Sequence, residues 1–385
     1  MSRSSREYDE SDVRVRPSRR GSRPRTKDRP KHEDAVTARV VSVDRGRWRT
    51  VLAEGTSQER AVTAMRAREL GRSPIVPGDL VGLVGDTSGR DGSLARIVRI
   101  QERSSFLRRS ADDDDPTERP LVANVDLMVM VTAVADPEPR GGMIDRCLVA
   151  AYVAGIDALL VLTKSDLRSP DDFLTTYAPL GLEHVVTHRA TPAEAADGAA
   201  AAEGADGADG ADGADGADGA DGADLADPSA DEIVGLEALR ERLAGRVSVL
   251  IGHSGVGKST LLNALVPGTD RAIGVVNDVT GRGRHTSSSA LAMPLPDDDG
   301  WVIDTPGVRS FGLGHVDPDE LLEAFADLAD LAEKCPRGCT HLEDAPDCAL
   351  DDQVDSGGAG SAGPARLRSY RRLAVALRKN DPWES

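Results

Sequence analysis

Aromatic side chains, cysteines and long apolar runs are all scarce in this chain of 385 residues. Phe, Trp and Tyr make up 3% of the residues, so aliphatic side chains must form most of any core. No apolar stretch approaches the roughly 18 residues that span a bilayer. The basic N-terminus also lacks the apolar segment of a secretory signal. We therefore expect a cytoplasmic protein that does not contact a membrane.

Charge is distributed very unevenly along the chain, whose formal net charge is −18. Residues 1–110 carry 25 Lys and Arg against 15 Asp and Glu, whereas residues 191–230 have 11 acidic residues and no Lys or Arg. The acidic segment contains six tandem Ala-Asp-Gly repeats and predicts a disordered insert, because nothing in the repeats can form a core. Residues 1–35 predict a disordered basic tail that either contacts RNA or only improves solubility.

Short segments rich in β-branched residues, separated by Gly and Pro, follow in residues 36–103. About five strands in so few residues predict a small β-barrel. Residues 35–110 hold 14 basic against 8 acidic residues, which favours an RNA-binding OB-fold, although an SH3-like barrel has the same pattern. Residues 104–120 are predicted to be a linker.

Apolar strands alternate with helices in residues 121–316, as is typical of an α/β domain with a parallel sheet. The clearest strands are predicted at residues 157–163, 246–252 and 300–304. Residues 317–385 predict a mainly helical C-terminal domain that begins with an amphipathic helix at 317–333. The chain is therefore expected to have several domains.

A glycine-rich segment after the strand at 246–252 matches the pattern GxxxxGK[ST] of a P-loop. Backbone N–H groups of such a loop face phosphates at the positive end of the following helix. Lys258 is expected to reach the β- and γ-phosphates, and Ser259 to bind Mg²⁺. The predicted phosphate-binding residues are Gly252, His253, Ser254, Gly255, Val256, Gly257, Lys258, Ser259 and Thr260.

Two further segments fit the same phosphate chemistry. Asp304 and Gly307 form a DxxG motif at the end of a strand, where an Asp contacts Mg²⁺ and a Gly N–H contacts the γ-phosphate. The polar segment 280–286 between the P-loop and DxxG is expected to act as a switch. Within it Thr286 is the first choice for a Mg²⁺ ligand and Thr280 the second.

The segment Thr163, Lys164, Ser165 and Asp166 resembles the [NT]KxD guanine-recognition motif of GTPases. A carboxylate at Asp166 accepts hydrogen bonds from guanine N1–H and N2–H₂, a bidentate contact worth roughly 1–3 kcal/mol of discrimination. Adenine cannot make that contact, which disfavours an ATPase. Here the base motif precedes the P-loop and DxxG, so a circularly permuted GTPase domain is predicted.

With this order of motifs the chain resembles the ribosome small subunit-dependent GTPase A family. The resemblance implies an N-terminal OB-fold, a permuted GTPase domain and a C-terminal zinc-binding domain. It implies a GTPase that binds the small (30S) ribosomal subunit and its rRNA, acts in late maturation of that subunit and is stimulated by it. The residues that carry it are Asn124–Asp126, Ile144–Arg146, Thr163–Asp166, Gly252–Ser259, Gly281–Thr286 and Asp304–Gly307.

Three of the four cysteines lie within fourteen residues, which indicates a local site rather than a disulfide framework. With one histidine they supply the four ligands of a structural Zn²⁺, and a redox pair is the alternative. The family pattern resembles Cys-x4-Cys-x-His-x5-Cys, whereas this chain has one residue fewer in the first gap and one more in the last. The predicted zinc ligands are Cys335, Cys339, His341 and Cys348.

The last helix carries several basic residues that either face RNA or are simply solvated. They are Arg366, Arg371, Arg372, Arg378 and Lys379.

Ras-type GTPases place a Gln after DxxG to orient water, but this chain has Val308 there. His285 is therefore the candidate for positioning water, and the resemblance implies a His at this place; Lys258 and Thr286 complete the predicted catalytic set. The expected small molecules and ions are GTP or GDP, Mg²⁺ and one structural Zn²⁺, and a monomer is expected. The alternative function is a nucleotide-gated RNA-binding checkpoint in which hydrolysis is incidental.

Overall fold

The computed structural model of the protein describes residues 32–110, 118–191, 194, 233–267, 290–306, 316 and 318–379. The predicted disordered segments 1–35 and 191–230 lie outside these residues except at their edges. The predicted switch at 280–286 and Gly307 also lie outside them. Among the helices that are described, none is both long and apolar enough to cross a membrane.

Five strands close into a barrel: β1 (Val36–Asp44), β2 (Arg47–Leu52), β3 (Arg60–Arg66), β4 (Leu80–Gly85) and β5 (Ala95–Ile100). Their order is β1-β2-β3-β5-β4, β1 pairs with β4, and only β3 and β5 are parallel. Alternate side chains point inward, so Trp48, Thr50 and Leu52 of β2 are buried. This closed order confirms the predicted OB-type barrel.

The segment 104–120 is not the linker that its polar centre predicts. Strand β6 (Phe106–Ser110) pairs antiparallel with β7 (Glu118–Ala123) on either side of residues 111–117, which are not described. The buried side chains of Leu107 and Val122 belong to the core under the large sheet. Burial of the apolar side chains at the two ends of the segment, and not its acidic middle, therefore decides that the ends form strands.

The remaining strands are β8 (Leu127–Ala133), β9 (Asp157–Thr163), β10 (Glu183–Val186), β11 (His188–Arg189), β12 (Ile233–Val234), β13 (Arg246–Ile251), β14 (Leu291–Pro294) and β15 (Gly300–Asp304). Six of them form one sheet in the order β10-β9-β8-β13-β15-β14, in which only β14 is antiparallel to its neighbour. All seven residues of β8 are buried, as expected for a central strand covered on both faces.

Eight α-helices are described: α1 (Gly141–Val153), α2 (Asp171–Tyr177), α3 (Leu236–Leu243), α4 (Lys258–Leu265), α5 (Pro318–Glu323), α6 (Ala326–Ala332), α7 (Ala349–Asp355) and α8 (Gly363–Lys379). The apolar side chains of α3 and α4 pack on one face of the sheet. Those of α1 and all four C-terminal helices pack on the other face. The C-terminal helices therefore share the core of the sheet.

The prediction of a single helix at residues 317–333 is wrong, because the helix is interrupted between α5 and α6 at Phe325. Phe325 has non-helical backbone angles and a side chain that is only 1% exposed. Its ring lies 4.2 Å from the Arg366 guanidinium and 5.7 Å from the centre of the Tyr370 ring. Packing of Phe325 against α8 thus overrides the helical periodicity.

The barrel is joined to the sheet through Asn124 and through Trp301 of β15. The Asn124 amide donates to the carbonyl of Gly78 at 2.9 Å, and Ala123 N–H donates to Pro77 at 3.0 Å. Gly78 has a φ of +90°, and a Cβ there would lie 2.0 Å from the carbonyl oxygen of Ala123. Only glycine fits this contact between the two parts.

We predict that Gly78→Ala lowers the free energy of unfolding by about 3 kcal/mol or more, because it adds a backbone clash to an unfavourable φ. Gly92→Ala is the matched control, since Gly92 has a φ of +78° and nothing within 4 Å of the added Cβ. The control should lose roughly 1–2 kcal/mol from backbone strain alone. Urea unfolding measures both, and equal losses would contradict the clash.

Candidate functional site

The predicted nucleotide-binding residues follow the carboxyl ends of parallel strands in one sheet. Thr163 ends β9, Gly252 follows β13 and Asp304 ends β15. Strand β8 lies between β9 and β13, so the strand that leads into the base motif and the strand that leads into the P-loop lie on opposite sides of it. Ligands of open α/β sheets bind at such a switch point, outside the carboxyl ends of the strands. The topology therefore brings the separate motifs to one edge.

The P-loop follows β13 directly and leads into α4, which begins at Lys258. Gly255 and Gly257 have φ values of +85° and +88°, so the loop turns through left-handed backbone before the helix. Within the part of the chain that the structure describes, no side chain caps the N-terminus of α4, and its first turn has no acidic residue. Its N–H groups and the helix dipole favour an anion such as a phosphate.

Lys258 of the P-loop meets Asp304 of the DxxG motif across the sheet edge. The ammonium of Lys258 is paired with Asp304 Oδ1, and the two side chains are 12% and 20% exposed. Leu250 of β13 lies in register with Asp304 of β15, which sets this approach. Two of the predicted phosphate-site residues are thus in contact.

The base motif touches the P-loop through the buried hydroxyl of Thr163, which donates to the Val256 carbonyl at 2.6 Å. Lys164 has a φ of +60°, and its ammonium donates to the carbonyl of Asp136 in the loop after β8. Asp166, whose carboxylate is predicted to bind guanine, is exposed. The structure therefore places the base motif beside the phosphate loop, as its predicted role requires.

Sequence reasoning missed the residues that follow β10. Ser165 N–H donates to the Thr187 carbonyl at 3.3 Å, and Ser165 Oγ lies 3.2 Å from His188 Nδ1. Their position in the sequence could have indicated them. A strand that pairs in parallel with β9 must end beside the base motif. Strand β10 is short and begins with Glu183 and His184, so its apolar pattern is weak.

Asn124 and Asp126 have structural contacts in the fold. The Asn124 amide joins the barrel to the sheet, as described above, and Asn124 Oδ1 accepts from Ser104 N–H at 2.9 Å. Asp126 Oδ2 accepts from Val247 N–H at 2.9 Å, which aligns β8 with β13.

Asp145 of α1 binds three side chains of α8. It pairs with Arg366 at 3.3 Å and Arg372 at 3.2 Å, and it accepts the hydroxyl of Ser369. Burial raises the pKa of the Asp145 carboxyl, although the Ser369 hydrogen bond and the two arginines act in the opposite direction. The network joins the C-terminal helices to the face of the sheet that carries α1.

The prediction that α8 presents Arg366 and Arg371 to RNA is wrong. Arg366 is only 2% exposed, and its guanidinium packs on Phe325. Arg371 forms two bonds of 2.8 and 2.7 Å to Asp351, which raise the pKa of Arg371 and lower that of Asp351. Ion pairs with Asp145 of α1 and Asp351 of α7 occupy these two arginines.

The four predicted metal ligands come together between α6 and α7. Their sulfur and imidazole nitrogen atoms all lie within 4.8 Å of one another. A tetrahedral zinc site, with Zn–S bonds of about 2.3 Å, separates its ligand atoms by roughly 3.8 Å. Ala349 N–H donates to Cys335 Sγ at 3.3 Å, and His341 N–H donates to Cys339 Sγ at 3.4 Å. The altered spacing of the cysteines therefore still allows a four-ligand cluster.

The thiols of this cluster suit a cation. Burial raises the pKa of the Cys348 thiol to about 11, and the neighbouring Cys339 and Cys335 raise it as well. Adjacent thiolates repel each other, and a bound divalent cation reverses that effect by coordinating the deprotonated sulfurs. The donor set fits zinc.

We predict that Asp145→Ala lowers the free energy of unfolding by about 3–5 kcal/mol, because it leaves the buried Arg366 without its nearest carboxylate. Asp351→Ala is the control, since the Asp351 side chain is 52% exposed. Loss of that exposed partner of Arg371 should cost about 1 kcal/mol or less. Chemical denaturation measures the free energy of unfolding of both variants. Similar losses of stability would mean that the Asp145 network contributes no more than a surface ion pair.

Comparison with known proteins gives matches over most of the chain. The RsgA GTPase family model matches residues 100–200 and 219–314. The small ribosomal subunit biogenesis GTPase RsgA of Ectopseudomonas mendocina is 36% identical over 330 residues, which cover 85% of this chain and 82% of the relative.

Two solved structures share the fold. YjeQ from Thermotoga maritima is 24% identical with a TM-score of 0.59, covering 89% of this chain and 98% of its own. YloQ, described as a circularly permuted GTPase, is 19% identical with a TM-score of 0.58, covering 91% of this chain and 98% of its own. The predicted permuted fold, with the base motif ahead of the P-loop, is confirmed. The chain belongs to the RsgA GTPase family and is a GTP-hydrolysing enzyme.

Proposed function

We propose that this GTPase binds the small ribosomal subunit and its rRNA, acts in late maturation of that subunit, and hydrolyses GTP to GDP and phosphate with subunit-stimulated turnover. The partner follows from relatives named small ribosomal subunit biogenesis GTPase RsgA. The observation that carries the chemistry is the meeting of three motifs at one sheet edge. Thr163 bonds to Val256, and Lys258 pairs with Asp304.

The base motif is proposed to select guanine. Asp166 is exposed at the carboxyl edge, where its two oxygens can accept from guanine N1–H and N2–H₂. Thr163 holds the motif against the P-loop, and the Lys164 stem covers the base plane while its ammonium bonds to Asp136. Ser165 links the motif to Thr187 after β10.

The phosphates are proposed to lie over the P-loop and the first turn of α4. The N–H groups of the loop supply donors for the phosphates, and Ser259 and Thr260 lie in the first turn of α4. GTP binding requires Lys258 to exchange the Asp304 carboxylate for the β- and γ-phosphates. Asp304 and Ser259 would hold Mg²⁺, which neutralises charge on the phosphates when bound.

The remaining catalytic assignments fall on residues that the structure does not describe. We propose that Thr286 completes the Mg²⁺ ligands, that Gly307 N–H contacts the γ-phosphate and that His285 orients the attacking water. Val308 supports the assignment of His285, because the valine side chain at the position after DxxG cannot hydrogen-bond to water.

The surface that meets rRNA is proposed to include the barrel. Phosphate contacts need arginine or lysine side chains that reach solvent. On α8, the predicted Arg372 is exposed and keeps this role, and the exposed Arg368 takes the place of the buried Arg366. Exposed arginines of the barrel region are Arg45, Arg47, Arg68, Arg72, Arg90, Arg96 and Arg99.

Zinc is proposed to be structural, held by Cys335, Cys339, His341 and Cys348. All four positions are filled by protein ligands, which leaves no open position for a substrate. Arg371 links this cluster to α8, because its Nε–H donates to the His341 carbonyl at 3.1 Å. We further propose that the enzyme acts as a monomer in the cytoplasm, where ribosomal subunits mature.

GTP hydrolysis with and without purified small subunits tests the function. We expect the subunits to raise kcat for GTP and not for ATP. His285→Ala should lower the stimulated rate by about a hundredfold, which is typical for losing a group that positions water. An equal stimulated rate in this variant would contradict its role.

Binding to small subunits distinguishes the checkpoint alternative from the proposed GTPase. In a pelleting assay, the protein should associate strongly with small subunits in the presence of GTP or a non-hydrolysable GTP analogue, and weakly in the presence of GDP. Subunit binding that ignores the nucleotide contradicts a switch of either kind. Nucleotide-dependent binding without stimulated hydrolysis supports the checkpoint.

Metal analysis of the purified chain should find one zinc ion per molecule. Cys348→Ser is expected to lose most of it, because three ligands hold zinc much more weakly than four. Cys147→Ala is the control, since this cysteine is buried in α1 outside the cluster. Zinc that stays bound in Cys348→Ser would show that the cluster is not the site.

A further inference from the structure

His188 follows the end of β10, beside the base motif at the end of β9. Thr187 N–H donates to the Leu162 carbonyl at 2.7 Å, and the Thr187 carbonyl accepts from Ser165 N–H at 3.3 Å. These backbone bonds fix the main chain of His188 next to the motif. The ring is 19% exposed, so it is largely packed against its surroundings.

Both nitrogens of the His188 ring have partners. Nδ1 lies 3.2 Å from Ser165 Oγ, and Nε2 lies 3.2 Å from Glu194 Oε1. The Ser165 hydroxyl also donates to the Thr187 carbonyl at 3.4 Å, and which of Ser165 Oγ and Nδ1 donates to the other depends on the tautomer of the ring. The ring thus connects Glu194 to the residue that directly precedes Asp166.

Glu194 is itself held in place. Its Oε2 accepts from the N–H and the hydroxyl of Thr191, both at 2.8 Å, and its own N–H lies 3.4 Å from that hydroxyl. These Thr191 bonds, together with His188, lower the pKa of Glu194 to about 2, so the carboxylate is charged at neutral pH. A fixed charged acceptor orients the imidazole.

The backbone of His188 is also held by residues that follow the acidic insert in the chain. His188 pairs with Val234, and Arg189 pairs with Ile233, in the ladder of β11 and β12. Gly235, with a φ of +84°, lies so close that a Cβ would be 2.3 Å from the Val186 carbonyl oxygen. His188 therefore sits on backbone that is fixed from both sides.

We propose that His188 is a positioning residue of the guanine site: its ring holds Ser165, and Ser165 holds the loop that carries Asp166, while Glu194 orients the ring. The inference rests on the proposed role of Asp166. Without the ring the base loop is freer, and bound guanine nucleotide dissociates faster. The residue sets the lifetime of the nucleotide complex and takes no part in the chemical step.

The test is the dissociation rate of a fluorescent GDP analogue from the full chain, chased with excess GDP. His188→Ala should raise the rate constant about three- to tenfold, the effect of one lost hydrogen bond. His188→Asn keeps a polar group near the Nδ1 position and should stay within about twofold of wild type. His188→Gln keeps one near Nε2 instead and should dissociate as fast as His188→Ala.

Three controls make the result decisive. His184→Ala changes an exposed histidine on β10 and should leave the rate unchanged. Combining His188→Ala with Ser165→Ala should raise the rate no further than Ser165→Ala alone, because the His188 ring acts through the Ser165 hydroxyl. Melting temperatures of all variants exclude a general loss of folding.

A wild-type rate in His188→Ala overturns the inference, and so does rescue by Gln but not by Asn. The latter pattern would mean that the ring only anchors Glu194. Asp166→Asn tests the proposed base motif separately. If GDP binding is unchanged in Asp166→Asn, the proposed guanine site is wrong, whichever way the His188 variants behave.

Discussion

The hydrogen bond from Thr163 to the Val256 carbonyl joins two loops that are 93 residues apart in the chain. It exists because β8 separates β9 from β13 by only one strand, so both loops emerge at the same edge. Base recognition and phosphate binding must act on one nucleotide, and this contact fixes the distance between them. The order of the motifs along the chain is irrelevant to it, which is why a permuted connection preserves the pocket.

The barrel and the DxxG motif share strand β15. The Trp301 indole N–H donates to Glu54 of the barrel region, and Arg39 lies over the indole ring at 5.4 Å. Three residues further along the same strand, Asp304 pairs with Lys258. A rigid strand thus links the proposed RNA-binding barrel to the phosphate site. Displacement of the barrel by a bound partner would act on Asp304, the residue proposed to bind Mg²⁺.

The C-terminal helices are held to the GTPase core by buried charge. Asp145 and Arg366 are both nearly inaccessible to solvent; Asp145 pairs with Arg366 and Arg372 of α8, and Arg366 Nε lies 3.8 Å from Asp327. Burying such a pair adds little net stability, but losing one partner is costly. The network therefore specifies how α8 docks on α1 and places the metal cluster relative to the sheet.

The sequence alone determined the strands β9, β13 and β15 and the glycine-rich loop after β13, because apolar periodicity and glycine spacing are local properties. It did not reveal the hairpin of β6 and β7, the break at Phe325, the burial of Arg366 or the contacts of His188. Each of these depends on partners far away in the chain, and a residue pattern does not record them. From the sequence, the basic residues of α8 could face RNA or be simply solvated, whereas tertiary packing paired Arg366 and Arg371 with acidic residues of α1 and α7. Local patterns thus predicted the nucleotide motifs, and long-range packing decided which of the predicted basic side chains are buried or paired.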